Sequence, residues 1–324
     1  MSFDVFVTRH LTPEAEEKLN AFCQAEYWPE ETPPPHDVLI EKTRTVDGLI
    51  TLLTDPVDRE VIENARNLKV ISQVAVGVDN IDLEAAREHH IPVGHTPDLL
   101  TDATADLAFT LLLAAARRLA EAMDYARQGH WKTWQLTKFL GMEVHGATLG
   151  IIGMGRIGQA VARRARGFDM RVLYANRSPV PKAEHELGAI PASLPELLGE
   201  SDFISLHVPL NEESKAMIGA PQFEMMKPDA VLINTARGAV VDTDALVTAL
   251  KTGQIGYAAL DVTEPEPLPH THELYSLPNA IITPHIGSAT QYARNQIALL
   301  AVNNLIAGLK GLRLPKAVVR RELQ

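Results

Sequence analysis

Along the first hundred residues, short apolar runs alternate with segments whose apolar positions recur every three or four residues. The runs are Asp4 to Thr8, Gly48 to Leu53 and Val70 to Ala75; helical spacing is found over Pro13 to Phe22, Asp58 to Ala65 and Leu83 to His89. That alternation predicts a parallel α/β sheet, because parallel neighbours need a crossover, usually a helix, and are covered on both faces. Thr101 to Arg118 reads as a long buried helix, with Thr101 or Asp102 available as its cap. A second strand–helix series begins near Thr148. Its expected strands are Leu149 to Ile152, Arg171 to Ala175, Phe203 to Val208, Ala230 to Thr235, Tyr257 to Val262 and Ala280 to Thr283. Helices fit between most of them, Asp242 to Lys251 for one, and a last long helix is expected over Ser288 to Leu309. EETPPPHD near residue 34 and TEPEPLPHTH near residue 267 read as loops.

Composition narrows the class. A chain of 324 residues suits about two domains, and 46% hydrophobic residues are enough for real cores. The net charge of -11 argues against nucleic-acid binding through a basic surface. The one cysteine, Cys23, excludes an internal disulfide and suits a reducing compartment. MSFDVFVTRH reads as a strand rather than an export signal, and the longest apolar stretch, within Leu107 to Ala116, is too short to span a bilayer. A cytoplasmic location, with no membrane partner, is expected.

The stretch TLGIIGMGRIGQAVARRA carries Gly153-x-Gly155-x-x-Gly158 between an apolar strand and a helix with Ile157, Val161 and Ala165 on one face. In that setting the first glycine permits a tight turn, the second lets a pyrophosphate approach the backbone, and the third lets helix and strand pack closely. The plain alternative, a glycine turn in an unrelated α/β protein, lacks a reason for this flanking pattern. Dinucleotide sites that take NAD usually end the next strand in an acid that holds the ribose hydroxyls. Here Arg171 to Ala175 is followed by Asn176, Arg177 and Ser178. A missing carboxylate removes repulsion of a 2′-phosphate, and a guanidinium attracts one. NADPH is therefore expected to be preferred over NADH; a solvated Arg177 with tolerance of both cofactors is the plainer alternative.

Downstream, INTARGAVVD carries Arg237, GYAALDVTEPEPLP carries Asp261 and Glu266, and ITPHIGSAT carries His285. Each lies just past the C-terminal end of an expected parallel strand, the edge at which open α/β sheets bind ligands. Histidine exchanges protons near neutral pH, a glutamate beside it holds its orientation, and arginine binds a carboxylate and polarises a ketone. Singly, each residue reads as surface or capping; at three successive strand ends beside a dinucleotide turn they read as machinery for reducing a 2-keto acid.

GMGRIGQAVARR, SDFISLHVPL, LINTARGAVVD, LDVTEPEP and PHIGSAT, spread over essentially the whole chain, resemble the signatures of the D-isomer-specific 2-hydroxyacid dehydrogenases. TPDLLTDATADLA, PEPLP and NNLIAGLKG resemble the glyoxylate/hydroxypyruvate reductase branch. The resemblance implies an α/β fold of two Rossmann-like domains with parallel sheets. It implies a discontinuous substrate domain, 1–98 plus 287–324, a dinucleotide domain over 99–286, and a cleft between them. Arg237, Glu266 and His285 would be catalytic, with Arg237 and His285 also binding substrate beside the N–H groups of Val76 and Gly77. The implied cofactor set is Thr104, Gly153, Gly155, Arg156, Ile157, Gly158, Asn176, Arg177, Ser178, His207, Val208, Pro209, Thr235, Ala236, Asp261 and Gly287. Asp261 would lie by the nicotinamide amide, and His207 to Pro209 would line the adenine pocket. The activity implied is NADPH-dependent reduction of glyoxylate and hydroxypyruvate by a homodimer, with the two long helices that bound the nucleotide domain at the dimer contact.

Two rivals stand beside it. An NAD-dependent relative acting on a substrate such as phosphoglycerate would be expected to carry an acid after the second strand and a regulatory domain. A nucleotide-sensing corepressor-like scaffold can keep the same three residues but would be expected to have long disordered tails. At Lys138, in QLTKFLGMEV, some close relatives carry a tryptophan that reaches a neighbouring active site, so the resemblance does not carry their substrate preference over to this chain. His270 and His272 lack further ligands at metal spacing and read as surface, as does the His89-His90 pair; no metal is expected. Trp131 and Trp134 suit a helix-end or interface anchor, and Pro33 to Pro35 a surface loop.

Overall fold

A computed structural model describes residues 2–320, which form two compact units, one of residues up to Leu100 together with those from Ala289, the other Thr101–Ser288. The first unit runs β1 (Asp4–Val7), α1 (Pro13–Asn20), β2 (Gln24–Tyr27), α2 (His36–Thr43), β3 (Gly48–Thr51), α3 (Arg59–Asn64), β4 (Val70–Gln73), α4 (Leu83–Glu88) and β5 (Val93–Gly94). The second runs α5 (Thr101–Ala116), α6 (Leu119–Arg127), β6 (Thr148–Ile152), α7 (Arg156–Ala165), β7 (Arg171–Ala175), α8 (Pro181–Leu187), β8 (Ile190–Pro191), α9 (Leu194–Glu200), β9 (Phe203–Leu206), α10 (Ala220–Met225), β10 (Val231–Asn234), α11 (Thr243–Thr252), β11 (Tyr257–Leu260) and β12 (Ala280–Ile282). The chain then returns to the first unit with α12 (Gln291–Leu309) and β13 (Ala317–Val319).

The second unit holds a seven-stranded sheet in the order β12-β11-β10-β9-β6-β7-β8, parallel throughout. Within it the order reverses between β6 and β9, which creates a crevice at their carboxyl ends. The first unit holds the order β13-β5-β4-β3-β1-β2, with its reversal between β1 and β3. Here β13 pairs antiparallel with β5, so this sheet is not wholly parallel as expected. Helix α12 packs on β3 and β4: Gly48 and Gly308 let it approach, since a Cβ at Gly308 would stand 2.5 Å from Val70. Apolar side chains on both faces of each sheet are fully buried, among them Phe6, Leu49, Ile71, Leu149, Phe203 and Leu232.

Several elements have no signal in the apolar pattern. β2 alternates exposed and half-buried residues at a sheet edge, β5 has two residues, and α2 begins directly after the prolines, with Pro35 at its N-cap. α6 buries none of its residues and so lacks a buried stripe. Thr101 and Asp102 lie inside the first turn of α5 rather than preceding it as a cap. Asp58 does cap α3, accepting from Val61 N. Most expected strands run one or two residues too far at the carboxyl end, where the chain has already left the sheet for the following loop. Among the described residues no helix is long and apolar enough to cross a membrane.

Candidate active site

The three motif glycines meet three different demands. Gly153 has φ 97°, and a Cβ there would stand 2.6 Å from the His207 carbonyl across the β6–β9 reversal. Gly158 faces the Gly153 carbonyl, which a Cβ would meet at 2.2 Å. Gly155 N-caps α7, and nothing lies within 4 Å of where its Cβ would be. A bare backbone facing open space at the start of a ten-residue helix, with Arg156 and Ile157 in the first turn, fits a pyrophosphate. His207 follows β9 with Val208 and Pro209; its Nε2 lies 2.8 Å from the Ser205 hydroxyl. Desolvation lowers the His207 imidazole from 6.5 to about 4, so this ring is neutral at physiological pH.

His207 also carries a stability prediction. The unfolded chain takes up a proton near pH 6.5, which the folded protein resists until about 4. The contribution is complete above pH 6.5 and is lost as pH falls toward 4, on the order of 3 kcal/mol. His207→Asn should flatten that region of the stability–pH curve, as read by urea unfolding at several pH values.

At the end of β7, Asn176 Oδ1 accepts from Met154 N at 3.3 Å and Asn176 Nδ2 donates to Ser178 O at 2.8 Å, so this side chain ties the glycine turn to the loop. Asn176, Arg177 and Ser178 are all exposed or nearly so. Arg177 lies 3.5 Å from Glu213, both largely in solvent, where an ion pair is weak.

Arg237, Glu266 and His285 follow β10, β11 and β12, three consecutive neighbours in the sheet. Asn234 shapes the turn before Arg237: its Oδ1 accepts from Ala236 N at 3.0 Å and its Nδ2 donates to Arg237 O at 2.8 Å. Arg237 Nη1 donates to Ala236 O at 2.8 Å. Gly238 presses this turn on the next, since a Cβ would stand 1.9 Å from Thr263 O. The Glu266 loop is held by Thr263, whose hydroxyl donates to Pro265 O, and by Thr243, whose hydroxyl donates to Glu264 O. His285 Nδ1 meets Glu266 Oε1 at 2.5 Å, with both side chains about three-quarters buried. The carboxylate accepts only, so Nδ1 carries a hydrogen and Nε2 is the atom that exchanges a proton.

His285 adopts φ 52°, a left-handed conformation that a non-glycine residue holds only when its surroundings impose it. Buried Asp261 imposes it: its carboxylate accepts from Thr283 Oγ1 at 2.6 Å, Ile286 N at 2.8 Å and Gly287 N at 2.7 Å, and its carbonyl accepts from His285 N at 2.9 Å. A Cβ at Gly287 would stand 3.4 Å from the buried Thr104 of α5. Beside Ala236, the Thr235 hydroxyl is buried without a hydrogen bond among the described residues. An orphaned hydroxyl at the sheet's carboxyl edge fits a site completed by a bound cofactor.

Val76 and Gly77 belong to the first unit. The carbonyls of Ala75, Val76, Gly77 and Val78 accept from Thr96 N, His95 Nδ1, Gln73 Nε2 and Ile81 N respectively. The N–H groups of Val76 and Gly77 make no hydrogen bond among the described residues. The roles of Asn234, Gly238 and this set of carbonyl partners emerge only from the structure; Gly238 alone has a sequence signal, as a glycine inside the arginine motif. Lys138 lies over the rings of Tyr125 and Phe139, at 4.7 and 4.9 Å. His272 accepts from Leu274 N, and no cluster of three or more His, Cys, Asp or Glu able to hold a metal occurs among the described residues.

Comparison with known proteins bears on this arrangement. The profile of the D-isomer specific 2-hydroxyacid dehydrogenase, NAD binding domain, matches residues 109–287. A glyoxylate reductase of Thermococcus litoralis is 51% identical over 323 residues, 98% of this chain and 97% of that protein. A solved protein from Thermus thermophilus superposes with TM-score 0.92 at 49% identity, covering 98% of this chain and 100% of the other. A solved glyoxylate reductase from Paecilomyes thermophila gives TM-score 0.85 at 35% identity, covering 98% of each chain.

Proposed function

The chain belongs to the D-isomer-specific 2-hydroxyacid dehydrogenase family, and from that premise we propose that it reduces glyoxylate and hydroxypyruvate with NADPH in preference to NADH. The observation that carries the chemistry is the 2.5 Å contact between His285 and Glu266 beside the Arg237 turn. A bound nicotinamide supplies the hydride. Arg237 binds the substrate carboxylate and polarises the ketone through its guanidinium fork. His285 Nε2 gives its proton to the developing alkoxide, while Glu266 holds the ring and stabilises its charged form. Asp261 keeps the His285 loop in place and, of roughly four acceptor sites on its carboxylate, retains about one for the nicotinamide amide.

The second unit, Thr101–Ser288, serves as the dinucleotide domain and the first as the substrate domain, each boundary two residues later than expected. The protein acts in the cytoplasm as a homodimer. Support for the dimer comes from α6 and the segment after it, where Leu119, Met123, Trp131, Trp134, Leu136 and Leu140 are exposed. The expected long helices, α5 and α12, also bury apolar side chains within their own units. A panel of glyoxylate, hydroxypyruvate and pyruvate, each with NADPH and NADH, tests the substrate and cofactor reading together. Efficient use of hydroxy acids with NAD and indifference to NADPH would favour the NAD-dependent rival.

The cofactor preference has its own variant. Asn176→Asp with Arg177→Ala should reverse or erase the NADPH preference, mainly through the cofactor KM, because the adenosine end is remote from the reacting carbon. One charge-assisted bond to the 2′-phosphate is worth roughly 10- to 150-fold in affinity. An unchanged NADPH/NADH ratio would leave Arg177 as the partner of Glu213 alone.

A further inference from the structure

In open α/β sheets the crevice at a strand-order reversal usually receives a ligand. In the first unit, the reversal between β1 and β3 is filled by the chain itself. Asp55 is wholly buried there and accepts from Thr8 Oγ1 at 2.5 Å, Thr51 Oγ1 at 3.1 Å and Leu52 N at 2.7 Å. Arg9, nearly as buried, lies 3.3 Å from the same carboxylate and donates through Nε to Glu31 O at 2.9 Å. The charge is thus compensated where burial would otherwise make it costly.

From this plug a chain of side-chain amides leads to the Val76–Gly77 loop. Asn80 Nδ2 donates to Leu52 O at 3.0 Å and to Asp55 O at 2.8 Å, which bridges both ends of the Asp55 turn. Asn80 Oδ1 accepts from Gln73 Nε2 at 2.7 Å, and the same nitrogen donates to Gly77 O at 3.3 Å. The two amides are locked in orientation: turning either over would set oxygen against oxygen. The arrangement leaves Gln73 Oε1 buried with no hydrogen bond among the described residues. If Gln73 served only to fill space, an apolar side chain of its shape would do as well or better.

We propose that Gln73 and Asn80, anchored on the Asp55 plug, are positioning residues: by holding the Gly77 carbonyl they fix the carboxyl end of the loop whose Val76 and Gly77 N–H groups face a substrate carboxylate. This rests on the reading of that loop as the carboxylate site. A carboxylate held alike in ground and transition states affects KM rather than kcat. The test uses Gln73→Met and, as a second disruption, Asn80→Asp, in the full-length protein. Measured would be the KM and kcat for glyoxylate, the NADPH dissociation constant by fluorescence, and hydrogen exchange at the Ile81 amide, which bonds to Val78 O. Expected is a rise of about tenfold in the glyoxylate KM, with kcat and NADPH binding little changed and faster exchange at Ile81. An unchanged KM overturns the proposal, whether or not exchange is faster. Comparison of glyoxylate with its neutral methyl ester in the wild type separates the two claims. If the ester serves as well as the acid, the carboxylate reading fails, and unchanged Ile81 exchange in the variants then overturns the positioning claim in turn.

Discussion

His285→Ala is expected to lower glyoxylate turnover by about 10²- to 10⁴-fold while NADPH binding, measured by fluorescence, stays near that of the wild type. The reason is local. His285 is held left-handed by Asp261 and bonded through Nδ1 to Glu266, an arrangement that prepares Nε2 for proton transfer. Alanine removes the donor without touching Gly153, Gly155 or the start of α7. Glu266→Gln removes the counter-charge of the imidazolium, so the pH profile for reduction should shift toward acid. Near-normal turnover in His285→Ala would remove this residue from the chemistry, and an unmoved profile in Glu266→Gln would remove its partner.

Arg237→Lys is expected to cost about 10²- to 10³-fold in kcat/KM, because a lysine keeps the charge but not the planar fork that can hold a carboxylate and approach the ketone oxygen together. The backbone here is set by Asn234 and by the close approach of Gly238 to Thr263, neither of which depends on the guanidinium. The variant should therefore fold, and its thermal melting should confirm that. The loss should appear with glyoxylate and hydroxypyruvate alike, since both place a carboxylate beside a carbonyl. Full efficiency with lysine would reduce Arg237 to a source of field.

The chemistry is legible in the sequence because motif glycines and charged residues sit next to strong apolar strands. Ile151 and Ile152 mark β6, Leu232 and Ile233 mark β10, and the functional residues come directly after them. What lies beside weak patterns is not legible. β2 has an edge-strand alternation of polar residues, and β13 pairs across a long separation with a strand of two residues. The Asp55–Asn80–Gln73 network joins residues of ordinary type from three loops and strand ends, and only the fold makes them adjacent. The family resemblance implies Asp261 as a nicotinamide neighbour, but most of its hydrogen bonds serve the His285 loop, a use visible only once Gly287 and Ile286 are placed.

The most direct test is a single-turnover experiment: protein saturated with NADPH is mixed with glyoxylate, and loss of reduced nicotinamide is followed beside formation of glycolate. One-for-one conversion is predicted in the wild type, and none on the same timescale in His285→Ala. Wild-type protein that binds NADPH yet leaves glyoxylate and the reduced nicotinamide untouched would contradict the proposed activity.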